Sequence, residues 1–378
     1  MAILKNEFFI MLSIIIIVGI IFSAPIFKYA DENSNELKKR NLPMDGVRTF
    51  LASFVALFHS EYIINYIYNG KWENSREVFL YLAQLGVSIF FIITAYLFWG
   101  KVRKTGDINW IDLYKDRVFR IAPATYVTAI ISIVMLLYFT NYPDSNNLSI
   151  KNVLRWFDMG MMYNYPPINA SSDSWLLLGV FWTLQWEWGF YLSLPLLSLM
   201  KKNSLAFVLS LLFSFIYIIP LFNIIQPTTI GICLLFIGGM LCRELKELIK
   251  LNKPTLNVIL LASIILIFVL KPAVYTIYML PFYSSIIFCI SKGADLFGLL
   301  TIKGLVRLGN CSFSIYVMHT PLMYFIYKIL KNKDIISNSE SFGYFSLLAI
   351  YFIICLFASF NWRLIEKPFV IIGKKIKL

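Results

Sequence analysis

Charge is scarce in this chain. Only 15% of its 378 residues are Asp, Glu, Lys or Arg, where a soluble domain keeps about a quarter. That excludes a soluble globular protein. Histidine is scarcer still, with His59 and His319 the only two. The five cysteines (Cys233, Cys242, Cys289, Cys311 and Cys355) lie in or beside apolar runs without ligand-type spacing. Neither a metal site nor a structural disulfide is expected from them. Internal repeats, low-complexity tracts and an appended soluble domain are also missing. Basic stripes interleaved with aromatics, the footprint of nucleic-acid binding, are absent too. The formal charge of +13 therefore concerns the membrane.

Apolar length is what the chain has in abundance: 59% of residues are hydrophobic and the mean hydropathy is +0.71. A membrane span needs about 20 largely apolar residues. This predicts an all-α integral membrane protein with about eleven transmembrane helices. They fall roughly at 8–28, 44–64, 79–99, 118–140, 178–200, 205–222, 228–242, 256–270, 272–290, 306–330 and 342–362. The 228–242 and 256–270 runs are the short ones. Pro195, Pro220, Pro281 and Pro321 interrupt several, as helices in lipid tolerate. Most Lys and Arg fall in alternate connecting segments, which puts the C-terminus on the cytoplasmic side. The first run resembles a signal peptide but exceeds the usual signal core, which favours a retained helix. The expected organisation is an N-terminal helix and polar linker over 1–40, a membrane domain over 41–370, and a basic cytoplasmic tail over 371–378.

Ionisable groups at membrane depth are costly and point to function. His59 ends an apolar helix that begins Asp45-Gly46-Val47-Arg48. Fourteen helical residues rise about 21 Å, so Asp45 and Arg48 belong at the cytoplasmic face and His59 well across the bilayer. Imidazole is the side chain best matched to moving a proton near neutral pH. Arg117 and Arg120, three residues apart, share one helical face and suit phosphate groups. Glu187 sits among tryptophans in Trp182-Thr183-Leu184-Gln185-Trp186-Glu187-Trp188. A carboxylate there must be paired or protonated, and it is expected to orient His59, share its proton or bind a sugar hydroxyl, with a structural ion pair as the alternative. His319, beside Pro321, is a third catalytic candidate or a structural histidine. Trp362 to Phe369 reads as a lock on the last helix. The loop 141–176 carries Trp156, Tyr163, Tyr165, Pro166, Pro167 and Trp175, which suit an interfacial belt or stacking on sugar rings.

Together these pieces resemble the acyltransferase-3 family, integral membrane O-acyltransferases that modify bacterial surface polysaccharides. The resemblance is carried in order by Met44-Asp45-Gly46-Val47-Arg48 with Phe58-His59, by Gly86-Val87-Ser88-Ile89-Phe90-Phe91, and by Arg117-Val118-Phe119-Arg120. Trp182 to Glu187 with Phe190-Tyr191-Leu192, then Leu308-Gly309 through His319-Thr320-Pro321, follow, with Glu366-Lys367-Pro368 as a coda. It implies ten core helices, so that 8–28 is an addition. It also implies acetyl-CoA as acyl donor, a glycan or lipid-linked saccharide as acceptor, and the bacterial inner membrane as location. His59 resembles the family's essential histidine, Arg48, Arg117 and Arg120 the arginines linked with CoA, and Glu187 its acidic residue. The chain reads Trp-Thr-Leu-Gln-Trp-Glu-Trp where relatives often have Trp-Ser-Leu-x-x-Glu-x, which loosens the assignment of Glu187. Many relatives continue into an esterase-like domain. This chain stops at Leu378, so the acceptor is expected to come to the membrane site. The competing reading is a polysaccharide transporter or flippase with a buried His/Glu relay, and a glycan polymerase is a third. The first would favour repeated halves and the last arginine-rich outer loops; neither is present.

Overall fold

Every regular element among the described residues is helical. The computed structural model describes residues 2–32, 40–73, 77–104, 108–140, 148–162, 164–270, 274–335 and 343–376. Residues 33–39 of the expected polar linker, Tyr163, and the end of the basic tail at 377–378 lie outside them. The first six main helices are α1 (Ala2–Phe22), α2 (Leu42–Asn69), α3 (Glu77–Lys104), α4 (Trp110–Phe139), α5 (Trp182–Ser198) and α6 (Ser204–Phe213). They continue as α7 (Pro227–Leu248), α8 (Lys253–Leu270), α9 (Leu280–Ser291), α10 (Lys303–Asn310), α11 (Ser312–Asn332), α12 (Tyr344–Asn361) and α13 (Lys367–Lys375).

Among the described residues, seven of the eleven expected segments are long and apolar enough to cross a membrane. The two predicted to be shortest both extend, as α7 and α8. Four of the expected spans are not among those seven. α1 is 21 residues long, apolar through Glu7–Phe22, and is followed by a 3-10 turn at Pro25–Ala30. α5 has 17 residues behind a 3-10 turn at Gly179–Phe181. α9 has only 12, with Pro281 in its first turn. The expected span 306–330 breaks at Cys311 into α10 and α11. In α10 the guanidinium of Arg307 is drawn off to Asp31 and to the carbonyls of Phe22 and Ala24. That contact fixes a short amphipathic helix where a continuous apolar one was expected.

α2 is the central helix, packed by α3, α10 and α11. Asn41 caps it, its side chain accepting from the Met44 N–H at 3.1 Å, with Pro43 in the first turn. Thirteen of the residues from Met44 to Phe58 are buried apolar or small side chains alongside the ionisable ones. In hydrocarbon every polar group needs an internal partner, and α2 shows how that is met. Thr49 Oγ1 donates to the Leu305 carbonyl at 2.6 Å, while Ser53 pairs with Tyr351 and Ser60 with Tyr327. The segments differ sharply in exposure: 67% of the apolar window of α7 is buried, against 6% for Lys201–Phe222. The latter lies almost wholly on the protein's surface; the former lines the interior.

Candidate active site

A cavity of about 730 Å³ opens where α2, α4 and α11 begin and α3 and α7 end, with the first half of α5 along its wall. These helices run in alternating directions, so sequence-distant ends converge. Asp45, Arg48, Arg117, Arg120 and Glu187, five of the seven expected site residues, all line it. The spacing argument for Arg117 and Arg120 holds, since both face the same space. Arg40, Lys101, Arg243 and Lys246 also line it. They read as ordinary loop-flanking charges in the sequence, yet Arg243 and Lys246 repeat the three-residue spacing of Arg117 and Arg120. The wall thus carries seven basic side chains against two carboxylates.

The carboxylates hold the cations in place. Asp45 accepts from Arg40 at 2.7 Å and lies 3.9 Å from Arg48. Glycines let it sit there: a Cβ on Gly46 would strike the Leu300 carbonyl, and one on Gly309 the Asp45 carbonyl. Arg117 lies over the Phe98 ring at 4.8 Å, a cation–π contact. Arg120 is 3.6 Å from Glu366, a fully buried carboxylate that also accepts from Ser314 at 2.9 Å. Lys367 next to it donates to the Asp31 carbonyl at 3.1 Å and pairs with Glu32 at 2.9 Å. The expected helix-end lock therefore also positions an arginine of the cavity. Glu187 accepts from the Tyr191 hydroxyl at 2.7 Å.

The two histidines lie apart from this cavity and meet each other. His59 Nδ1 is 3.0 Å from His319 Nε2 and 2.9 Å from the Val55 carbonyl. His319 Nδ1 is 3.1 Å from the Ile315 carbonyl. His319 is fully buried and His59 partly exposed. The hydrogen-bond partner of His59 is thus His319, and Glu187 stays with the arginines. Between the two groups stands Tyr316, which lines the cavity and lies 6.2 Å, ring to ring, from His319. Its hydroxyl donates to the Val180 carbonyl at 3.0 Å and lies 2.9 Å from Thr183 Oγ1. Nothing in the sequence marked it beyond its place three residues before His319.

On the far side of His59 are Trp72, ring centroids 6.4 Å away, and Trp175, 4.9 Å beyond it and nearly perpendicular. Trp72 is 37% and Trp175 45% exposed. Of the loop aromatics expected to stack on sugars, Trp156 is instead fully buried, its Nε1–H donating to the Pro166 carbonyl at 2.9 Å. Tyr165 donates to Asp158 at 2.8 Å. Trp175 packs edge-on to Tyr66 at 5.8 Å, and the Tyr66 hydroxyl is fixed by Asp173, which accepts from it at 2.8 Å and from Tyr324 at 2.6 Å and pairs with Lys328 at 3.2 Å.

The two groups suit two tasks. The cavity offers an anionic ligand several guanidinium N–H groups that the protein leaves unused. Among the described residues, the buried Nε atoms of Arg48, Arg117 and Arg243 and the Ser312 hydroxyl have no protein partner. The histidine pair offers a base in an otherwise apolar interior. The acyltransferase domain family model (Acyl_transf_3) matches residues 41–360, a stretch that contains both groups. Neither the curated proteins nor the solved structures contain a match. With five-sixths of its length matched and its apolar helices long enough to span a bilayer, the chain belongs to the acyltransferase-3 family of membrane acyltransferases.

Proposed function

We propose that the protein moves an acyl group, acetyl foremost, from cytoplasmic acyl-CoA to a hydroxyl of a cell-surface polysaccharide or lipid-linked sugar. The site of action is the bacterial inner membrane, with the C-terminus cytoplasmic. One observation carries the reading: a cavity lined by seven cations, with unused N–H groups, lies one tyrosine layer from a histidine pair. Arg48, Arg117 and Arg120 would hold the CoA phosphates, with Arg40, Arg243 and Lys246 adding positive potential. Asp45, already paired with Arg40, acts by fixing the guanidinium layer, since a carboxylate would repel a phosphate.

Beyond Tyr316, His59 takes the proton of the acceptor hydroxyl. The acceptor oxygen then forms its bond to the acyl carbon as the carbon–sulfur bond breaks. The departing thiolate recovers the proton from His59, so charge and atoms balance. The distance between charge layer and base favours this over a transporter, whose charges would line one continuous path.

The test is label transfer from radiolabelled acetyl-CoA in membranes, counted in extracted glycan and lipid-linked sugar. Native protein is expected to label the glycan, and His59→Ala at matched expression to lose about 10²–10⁴-fold in rate. Equal labelling by the two would remove His59 from the chemistry.

A further inference from the structure

We infer that His319 is the positioning residue of the reaction, holding His59 in the one tautomer that presents Nε2 as a base. The inference rests on the acyl-transfer reading for its kinetic part and on hydrogen-bond geometry for the rest. A neutral imidazole has one N–H and one lone pair. His319 Nδ1 faces the Ile315 carbonyl at 3.1 Å, so its proton is there and Nε2 carries the lone pair. That lone pair faces His59 Nδ1 at 3.0 Å. His59 Nδ1 also lies 2.9 Å from the Val55 carbonyl, a second acceptor. Only an N–H on His59 Nδ1, shared between the two, satisfies both contacts. The reverse placement, with His319 Nε2 donating, would set lone pairs against carbonyl oxygens at both rings. The lone pair of His59 is therefore on Nε2.

When Nε2 takes a proton, the Nδ1–H of the resulting imidazolium points at an acceptor already in place. His319 thus occupies the position that a carboxylate holds in a Ser-His-Asp triad. A neutral partner keeps the resting pair uncharged, which suits a membrane interior where an unpaired ion is expensive. The Ile315 carbonyl cannot accept a proton onward, so His319 orients and stabilises without relaying.

Two histidines in the whole chain make the tautomers directly observable. In full-length protein labelled with ¹⁵N-histidine and held in nanodiscs, both rings are expected as Nδ1–H forms with a bare Nε2. Either ring found as Nε2–H overturns the assignment, whatever the activity. In the transfer assay, His319→Leu is expected to lower kcat about 10- to 150-fold, with both KM values within about twofold of native. His319→Gln, which keeps an acceptor oxygen, is expected to recover most of that loss. The double variant His59→Ala with His319→Leu should be no slower than His59→Ala alone, because residues acting as a unit are not additive. Native kcat in His319→Leu would sink the idea, as would a glutamine variant that is folded yet as slow as leucine. If native protein transfers nothing while the tautomers are as stated, the acyl-transfer reading falls and the positioning geometry stands.

Discussion

The arginine end and the histidine end of α2 treat their polar groups differently. At the arginine end, Arg48 Nε, Arg117 Nε, Arg243 Nε, Asp45 Oδ2 and Ser312 Oγ are buried without protein partners. At the histidine end, His59, His319, Thr320, Tyr316, Tyr66 and Tyr324 all have theirs, and the Tyr68 hydroxyl beyond His59 on α2 is the exception among the described residues. A buried polar group left unmatched costs about 1–3 kcal/mol, so the arginine end holds unspent bonding capacity. That capacity suits a site completed by its ligand. The histidine end is already arranged, as fixed dipoles must be if they are not to reorganise during reaction.

The largest effect expected from this contrast is at the arginine end and on binding alone. Arg117→Met should weaken CoA binding by isothermal titration about 10- to 100-fold, the worth of charge-assisted hydrogen bonds. Thermal unfolding of the same variant should shift by no more than about 1 kcal/mol, the worth of the cation–π contact with Phe98, because Nε itself has no protein partner to lose. A matching drop in stability would erase the distinction between the ends. Next comes Asp173→Asn at the histidine end, with the opposite pattern: about 1–3 kcal/mol of stability lost and CoA binding unchanged. Burial pushes the Asp173 carboxyl up, but hydrogen bonds from Tyr324 and Tyr66 and the nearby Lys328 outweigh it, and its pKa sits below the usual carboxylate range. A depressed value stabilises the fold above about pH 4. That contribution disappears as pH falls through the depressed value, and Asp173→Asn should flatten this part of the unfolding profile. The smallest effect is Ser312→Ala, which removes an unmatched buried hydroxyl. Stability should stay level or rise by up to about 1 kcal/mol, while CoA affinity falls a few-fold at most. A clear loss of stability would show that Ser312 has a partner in the folded protein.

Much of this was legible in the sequence because it is local. Arg48 and His59 share one helix, Arg117 and Arg120 one face, and Glu187 its tryptophan-rich turn. The length of apolar runs gave the membrane class. Convergence was not legible: the residues that meet at the cavity come from six helices, and His59 and His319 are 260 residues apart. Hydropathy also cannot see where a polar contact interrupts a span, which is why 306–330 read as one helix. Loop aromatics misled for a related reason. Trp156 and Trp175 look alike in sequence, and only packing sends one into the core and leaves the other exposed beside His59.

Arg307 draws a boundary of another kind. It is 1% exposed and makes four hydrogen bonds, all to Phe22, Ala24 and Asp31. It lies inside the stretch that defines the family, and its partners lie before that stretch begins at residue 41. Arg307 holds the Asp31 carboxyl below the usual range, so the pair remains ionised through mildly acidic conditions. The bounds of the family match and of the Arg307 hydrogen-bond network therefore do not coincide in this protein. A chain trimmed to residues 41–360 would retain a buried cation and discard its counter-ion, so the leading segment fills a bonding need of the matched stretch.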